Sequence, residues 1–524
     1  MTMPAGTHQS IVPVEVLDAR VAGPDSTVIL PTFLSAEGVR YVRFRTTASG
    51  TYAITNLEGM PIGTVEIEAG STEAPAPYLS RNGRRLLDQT GKPFLWMADT
   101  WWYALCDRLE SSELAALAAQ RRGQGYSVVQ VVAGLLPEIY AHDPLGDLAG
   151  VWPWTSGFGD LDPRWWDAAD DRIATIVSAG LIPAIVGAWS YYMVDMGRER
   201  LEHHWREIVA RWSALPVVWC IAGEAGLPYY EEISSPTIDV QVKELTSEWS
   251  KVIPMVRRID PYLNLRTIHP CPAFEHYSST DLLEGKVADL DLIWLQTGHA
   301  DRSAISSSLD AIDREVAADH GLPVVNSEVC YEGIAAGSYS TLQRFLFWSH
   351  ILSGAAGHSY GAQGIWAFRR AQDPNPGIAW GDTTWQEASI LPGARQLGAA
   401  ADYLRSFDWY NLEPAQDVLT VHATPERREF PYAARSENRV VAYFPAASLL
   451  PLDIGISLDM GVTSVRDLAP GQWTFTWWNP RAAVEFESWD VVIDSSGEQL
   501  LSSSRDSGSI PSMEDWVFVA TRIK

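Results

Sequence analysis

The sequence predicts an α/β fold, a (β/α)8 TIM barrel flanked by N-terminal and C-terminal β-sandwich domains. Three observations lead to this prediction. Between residues 77 and 410, short apolar runs alternate eight times with helical patterns, as in a parallel barrel. The segments on either side show the two-residue alternation of antiparallel strands. An open doubly wound sheet is the competing topology, but the glycine-rich phosphate turn expected after its first strand is missing.

We expect three domains with different local patterns. Residues 1–76 form an N-terminal β-sandwich-like domain, 77–410 the barrel, and 411–524 a C-terminal β-sandwich. The predicted flanking strands are Val42–Thr46, Gly63–Ala69, Arg439–Phe444, Trp473–Trp478 and Trp516–Thr521.

The barrel strands are predicted from buried-type apolar runs. They are Phe94–Ala98, Ser127–Val132, Leu181–Val186, Val217–Ile221, Asn264–Ile268, Leu292–Gln296, Pro323–Val325 and Ala355–Tyr360. Later helices are predicted at 198–213, 239–258, 304–319, 341–352 and 391–405. Ser112 is the expected cap of the first barrel helix. Asp162-Pro163 predicts the start of the second, because proline suits the position after a capping aspartate.

Composition excludes several partners. The 524 residues are 46% hydrophobic, which is ample for a large core, and the net charge of −26 repels nucleic acid and anionic membranes. None of the four cysteines forms a C-x-x-C pair, so neither a structural zinc site nor a cofactor is expected. No basic, apolar leader is visible, which predicts a cytoplasmic protein, or a secreted one if the start was trimmed. A homo-oligomer is compatible with the sequence.

Two glutamates follow predicted barrel strands. Glu224 lies in Pro216–Gly226 (PVVWCIAGEAG), and Glu328 lies in Leu322–Gly333 (LPVVNSEVCYEG). Because the carboxyl ends of barrel strands meet at one face, both carboxylates should lie at the same mouth. Two carboxylates are what the hydrolysis of a glycoside requires. The sequence therefore predicts a glycosidase that acts on a carbohydrate.

Neighbouring residues suggest different roles for the two glutamates. The apolar stretch Ile221-Ala222-Gly223 suits Glu224 to donate a proton, whereas Asn326 and Ser327 are polar neighbours that suit Glu328 to be an ionised nucleophile. Glu332 is the alternative nucleophile, but its place further into the loop suits substrate contact better.

Polar and aromatic residues near strand ends are predicted to bind the sugar. Flat aromatic rings pack against apolar sugar faces, and amide, imidazole and carboxyl groups bind hydroxyls. The predicted substrate-binding residues are Asp99, Trp101, Gln130, Glu138, Trp189, His269, Gln296, His299, Tyr331, Glu332, Tyr360 and Trp366.

Two other functions stay open from the residues alone. A metal-dependent hydrolase could use His269, His299, His358 and Asp99, but the H-x-H pair of such barrels is replaced by Asp99-Thr100-Trp101, so no metal site is predicted. A non-catalytic carbohydrate-binding protein on the same scaffold is the other alternative. Either catalytic glutamate could then belong to a structural ion pair with an arginine.

The barrel resembles the apiosidase-like glycoside hydrolases, family 140 and its relatives, from about Asn82 to Pro414. The resemblance rests on GKPFLWMADTWW (91–102), VVWCIAGE (217–224), LIWLQTGH (292–299), PVVNSEVCYEG (323–333) and GAAGHSYGAQGIW (354–366). The stretch WTFTWWNPRA is similar to a β-domain that such proteins carry under the label of collagen binding.

The resemblance implies a retaining barrel hydrolase with its acid after strand four and its nucleophile after strand seven. Glu328 matches the family's glutamate. At Glu224 the chain departs, because the family has an aspartate after two glycines there, and related barrels place asparagine where this chain has Gly223. This departure concerns the sugar more than the reaction class. We therefore expect exo-acting hydrolysis of a terminal furanoside or apiose-like sugar from a short oligosaccharide or glycoside.

Overall fold

The structure, a computed structural model, describes residues 4, 6–68, 74–373, 380–450, 463–501 and 510–523. In these ranges a parallel eight-stranded barrel lies between two regions of antiparallel sheet, as predicted. None of the helices in these ranges is both long enough and apolar enough to cross a membrane.

The N-terminal region folds into two antiparallel sheets. Its strands are β1 (Thr7–Val12), β2 (Asp18–Ala22), β3 (Thr27–Pro31), β4 (Phe33–Leu34), β5 (Arg40–Arg45), β6 (Gly50–Thr55) and β7 (Pro61–Ile67). One sheet has the order β1-β5-β4 and the other β3-β2-β6-β7. Their facing side chains, including Phe44, Tyr52 and Ile54, share one buried core, which confirms the predicted sandwich. Ala69, the predicted end of the last strand, lies outside the described residues.

A short hairpin leads into the barrel. It consists of β8 (Ser80–Asn82) and β9 (Arg85–Leu87). The barrel strands are β10 (Trp96–Thr100), β11 (Val128–Val132), β12 (Ile182–Val186), β13 (Val218–Cys220), β14 (Arg266–Thr267), β15 (Ile293–Gln296), β16 (Val324–Glu328) and β17 (Gly357–Tyr360). They pair in the order β14-β13-β12-β11-β10-β17-β16-β15. A backbone bond from Asp291 to Arg266 (2.8 Å) brings the two ends of the sheet together.

The helices surround the barrel. They are α1 (Ser111–Gly123), α2 (Pro163–Ser178), α3 (Tyr192–Trp212), α4 (Ile238–Ile259), α5 (Ser279–Leu282), α6 (Ala304–Ala318), α7 (Ser340–Leu352), α8 (Trp385–Ser389) and α9 (Pro392–Arg405). Asp162 caps α2 as predicted. The predicted cap of α1 is wrong, because Glu110 caps it in a reciprocal pair with Glu113, and Ser112 lies within the first turn.

The C-terminal region is antiparallel throughout its described part. Its strands are β18 (Glu413–Pro414), β19 (Tyr432–Ser436), β20 (Arg439–Phe444), β21 (Ser464–Val465), β22 (Gly471–Asn479), β23 (Val484–Ile493), β24 (Gln499–Leu500) and β25 (Trp516–Arg522). Six of them form a sheet of order β18-β19-β20-β25-β22-β23, and β21 pairs with β24. A buried ion pair of 2.6 Å joins Arg344 of α7 to Asp515, and Tyr443 also donates to Asp515. The C-terminal sheet is therefore fixed to the barrel.

Candidate active site

Glu328 ends β16 and is almost fully buried. Its Oε1 accepts hydrogen bonds from His299 Nε2 (3.1 Å) and from the Tyr331 hydroxyl, and His269 Nε2 lies 3.0 Å from Oε2. Burial alone raises the pKa of this carboxyl, but the hydrogen bonds and positive charge of the two histidines outweigh burial and lower the pKa to about 2. Glu328 is therefore ionised at neutral pH.

Glu224 follows β13 and has a different set of donors. Its Oε2 accepts from the Trp189 indole (3.1 Å) and the Tyr230 hydroxyl (2.6 Å), and its Oε1 accepts from the Gln296 amide (2.9 Å). All three donors are electrically neutral. The backbone of Glu224 has a φ of 42°, in the left-handed region that residues other than glycine rarely adopt. Strain of this kind is concentrated at functional sites.

The lack of a side chain at Gly223 leaves room for the ring of Trp189. A Cβ atom at position 223 would lie 2.2 Å from Cε3 of Trp189. The tryptophan ring therefore occupies the space that an asparagine side chain would need, and its Nε1 donates to Glu224 instead. The departure at Gly223 seen in the sequence thus has a steric reason in the structure.

Aromatic and amide side chains connect the residues around Glu224 with those around Glu328. Trp102 packs edge-on against Trp189, with ring centroids 5.5 Å apart, and donates to the Tyr331 hydroxyl (3.0 Å). Gln296, the partner of Glu224, is also opposite Glu328 in the β15–β16 register. We call Glu224, Glu328 and the side chains that bond to them the inner site.

The amide of Gln296 has a fixed orientation. Carboxylate oxygens only accept hydrogen bonds, so Nε2 must face Glu224 and Oε1 must point away from it. Within the described part of the chain, this buried Oε1 has no hydrogen-bond partner. Oε1 of Gln296 is thus available to accept a hydrogen bond beside Glu224 and Glu328.

Glu138 brings a third carboxyl to the site from the loop between β11 and α2. Its Oε1 accepts from Trp380 Nε1 (2.7 Å). Burial raises the pKa of Glu138 and the negative charges of Glu224 and Glu328 add to the shift, so that the pKa reaches about 8 even though the Trp380 bond opposes it. At neutral pH Glu138 is mainly protonated and can donate a hydrogen bond.

Four of the predicted substrate-binding residues lie outside the barrel wall instead. Asp99 Oδ2 pairs with Arg121 Nε (2.6 Å) and accepts from Trp101 Nε1 (2.8 Å), and Tyr360 donates to Glu332 Oε2 (2.6 Å). Glu332 Oε1 accepts from the backbone N–H of Gly393 at the start of α9. These side chains are buried and bonded to one another or to the backbone, and their role in substrate binding stays a prediction. Asp99, Trp101, Arg121, Glu332 and Tyr360 are called the outer cluster below.

Gln130, another predicted sugar ligand, is also bonded within the protein, and its role in binding stays a prediction. It lies inside the barrel, where its amide donates to the Ser327 carbonyl (2.9 Å) and accepts from Ser359 (2.8 Å). The side chain is fully buried and braces three strands. Trp366, in contrast, packs beside Tyr331 with ring centroids 6.5 Å apart, next to the inner site.

Comparison with protein families agrees with this geometry. A family model for the "Apiosidase-like, catalytic domain" matches residues 80–411. The chain belongs to the apiosidase-like family. Membership confirms the predicted enzyme class, a glycoside hydrolase. The match ends before the C-terminal sheet, so the resemblance of that region to a collagen-binding domain stays a prediction. The comparison with curated proteins found no match.

Solved structures share the fold of this apiosidase-like chain. One described as a glycoside hydrolase has a TM-score of 0.68 at 19% identity and covers 86% of this chain and 97% of its own. A glycoside hydrolase family 5 protein from Bacteroides vulgatus has a TM-score of 0.66 at 20% identity, with coverages of 85% and 93%. At these identities the likeness establishes the fold alone.

The metal-hydrolase alternative does not fit the apiosidase-like barrel. Its four proposed ligands do not converge, because Asp99 pairs with Arg121 and His358 Nδ1 lies 3.1 Å from His350 Nδ1, away from Glu328. In the residues that the structure describes, no cluster of three or more histidine, cysteine, aspartate or glutamate side chains is arranged to hold a metal ion.

Three residues of this family member that the sequence did not indicate, Trp102, Tyr230 and Trp380, also bond to Tyr331, Glu224 and Glu138 respectively. Trp102 lies just beyond the end of β10, where the neighbouring residues are buried on both faces and give no signal of which tryptophan points to the carboxylates. Tyr230 and Trp380 lie in long loops, where no periodic pattern indicates which side chains reach the carboxylates.

Proposed function

We propose that this glycoside hydrolase is a retaining, exo-acting enzyme in which Glu328 is the nucleophile and Glu224 the general acid and base. The observation that carries the proposal is the difference in donors, with two histidines at Glu328 and only neutral groups at Glu224. A nucleophile must be ionised, and a pKa of about 2 suits Glu328 to that role.

The proposed reaction has two steps. Glu328 attacks the anomeric carbon while Glu224 gives its proton to the leaving oxygen, and a glycosyl-enzyme forms. Glu224 then takes a proton from water, which attacks the same carbon and frees Glu328. The Tyr230 hydroxyl, 2.6 Å from Glu224, can donate to a carboxylate or accept from a carboxylic acid, so it can follow both protonation states.

The residues around Glu224 lie close to those around Glu328, which supports a retaining mechanism. Retaining glycosidases have carboxyl groups about 5–5.5 Å apart, whereas inverting ones leave about 6.5–9.5 Å for water. Here one glutamine bonds Glu224 and is opposite Glu328 in the strand register. Ring contacts also link the two sets of donors, because Trp189 packs on His269 with ring centroids 6.1 Å apart and on Trp102 at 5.5 Å. This arrangement favours the shorter separation.

Contacts between loops support exo action. Trp380 donates to Glu138, and the Tyr140 hydroxyl donates to Glu231 Oε1 (2.9 Å). These bonds tie the loop after β11 to the loops after β17 and β13. A mouth bordered by bonded loops suits a chain end better than the interior of a long polysaccharide.

The substrate is proposed to be a terminal furanoside or apiose-like sugar. Its binding residues would be Glu138, Trp189, His269, Gln296, His299, Tyr331 and Trp366, with Trp102 added from the structure. The unpaired Gln296 Oε1 suits a sugar hydroxyl beside the anomeric carbon. A neutral Glu138 suits a second hydroxyl.

A screen of aryl furanosides and pyranosides tests the proposal. Proton NMR of the first-formed product should show the anomeric configuration of the substrate. Glu224→Ala should impair substrates with poor leaving groups far more than activated aryl glycosides, since a good leaving group needs no proton. Added azide should accelerate this variant by intercepting the glycosyl-enzyme. An inverted product, or equal loss on both substrate types without azide rescue, would refute the mechanism.

A further inference from the structure

A cavity lies between the loops after β16 and β17. Its volume is about 580 Å³, within the range of small-molecule sites. Tyr339 and Trp380 line it and are 58% and 55% exposed. We propose that this cavity binds a neutral sugar ring in the leaving-group part of an oligosaccharide substrate. This inference rests on the proposed glycosidase function.

The cavity is connected to the inner site through Trp380. Its indole Nε1 donates to Glu138 Oε1, and Glu138 interacts electrostatically with both Glu224 and Glu328. The backbone carbonyl of Trp380 accepts from Ala335 N (3.3 Å), which joins the two loops that line the cavity. A substrate that occupies the inner site can therefore extend past Glu138 onto the Trp380 ring.

The backbone around the cavity is strained. Ala335, Ala336, Ser338 and Trp380 have φ values of 48°, 57°, 54° and 54°. None of them is glycine, the residue that adopts this conformation without cost. Four such residues in two adjoining loops are unusual, and strained backbone of this kind is concentrated at binding and catalytic sites. The small side chains of Ala335 and Ala336 leave room for a ring between the aromatic residues.

The polar groups of the cavity suit hydroxyls rather than an anion. The buried Gln363 amide donates to the Thr383 carbonyl and accepts from the Thr383 N–H, so this polar group is held in place in the cavity wall. Among the described lining residues, Asp382 is the one that carries a charge, and it is exposed. A carboxylate accepts hydrogen bonds from sugar hydroxyls and repels a uronate. With aromatic faces for the apolar side of a ring, this favours a neutral sugar.

Substrate length provides the test. We would compare kcat/KM for the aryl monoglycoside found by the screen with that for a neutral oligosaccharide ending in the same sugar. Trp380→Ala should lower kcat/KM for the oligosaccharide at least tenfold more than for the aryl glycoside, mainly through KM. Tyr339→Ala should act in the same direction. Trp380→Phe keeps an aromatic face but loses the bond to Glu138, and it should retain most of the length preference.

Phe486→Ala is the matched control, because Phe486 is 57% exposed on β23 and does not line the cavity. It should leave both substrates unaffected, and thermal melts should show that all variants fold. Equal losses on both substrates in Trp380→Ala would mean that Trp380 acts only through Glu138. No loss on the oligosaccharide would mean that the cavity binds no sugar. Failure of the wild type to cleave any glycoside would instead refute the proposed function.

Discussion

The inner site and the outer cluster both contain buried carboxylates at or near the ends of barrel strands, but their partners differ. In the outer cluster, Asp99 pairs with the guanidinium of Arg121 at 2.6 Å. In the inner site, no lysine or arginine among the described residues forms an ion pair with Glu224 or Glu328. A permanent cation neutralises a structural carboxylate, whereas histidine, amide and hydroxyl partners leave the charge available to a substrate.

The largest effect on kcat should appear when one glutamate of each region is replaced by glutamine and the two variants are compared. Glu328→Gln should lower kcat by several orders of magnitude, because covalent catalysis has no substitute group, and the variant should still fold. Glu332→Gln should keep kcat within about tenfold of the wild type but reduce stability, since an amide cannot accept from both Gly393 and Tyr360. Steady-state kinetics with thermal melts measures both, and the reverse pattern would assign the nucleophile to Glu332.

The ion pair between Arg121 and Asp99 should affect the stability of the protein but not its activity. Arg121→Met would leave Asp99 buried without its cation, at a cost of about 3–5 kcal/mol in the free energy of unfolding. Urea unfolding of this variant can be compared with that of Arg164→Met, which removes an exposed partner of Asp162 and should change stability far less. If Arg121→Met were as stable as the wild type, the distinction between the two regions would fail.

Gly223→Ala should disturb the inner site through packing. The added Cβ would meet Trp189 at 2.2 Å, so the ring must move and Glu224 loses a donor. Forced overpacking costs about 1–3 kcal/mol, and kcat/KM should fall by tenfold or more. Trp189→Phe in the same chain should relieve the clash but not restore the indole donor. A double-mutant cycle should therefore recover stability more than activity.

The last effect concerns the pH dependence of stability through Glu138. Its pKa rises to about 8 in the folded protein from 4.5. Between these values the folded state holds a proton that the unfolded state has lost, so this group makes stability fall as pH rises from about 4.5 to 8. Glu138→Gln should flatten that part of the profile. Denaturant unfolding at several pH values, with exposed Glu231→Gln as control, measures it, and an unchanged slope would contradict the assignment.

Much of the fold can be predicted from local sequence. Whether a strand residue points into the barrel or out of it cannot. The barrel strands lie within about three residues of their predicted positions, because runs such as Val128–Val132 are buried on both faces. For the same reason, burial in the sequence cannot tell an inward residue from an outward one. Asp99 and Trp101 were thus expected in the site, whereas Trp102 is the tryptophan that reaches it.

The two glutamates are a different case. Their position at the end of a strand predicts that they lie at the mouth, but Trp189, His269, Gln296 and His299 come from other strands and loops that only the tertiary fold brings together. Tyr230 is close to Glu224 in the chain, yet Gln296 is 72 residues away. The role of each carboxyl depends on those distant donors, which is why roles are harder to predict than positions.

The ion pair between Arg344 and Asp515 bears on the order in which the protein is made. The two residues are 171 positions apart, so a ribosome completes α7 long before it adds Asp515. Until then a guanidinium destined for burial has no carboxylate partner. The neighbouring strand β25 is also translated after β20 and β22, although it pairs between them. Barrel and C-terminal sheet should therefore reach their native packing together, late in synthesis, and a barrel cut off before Asp515 should be a poor candidate for separate expression.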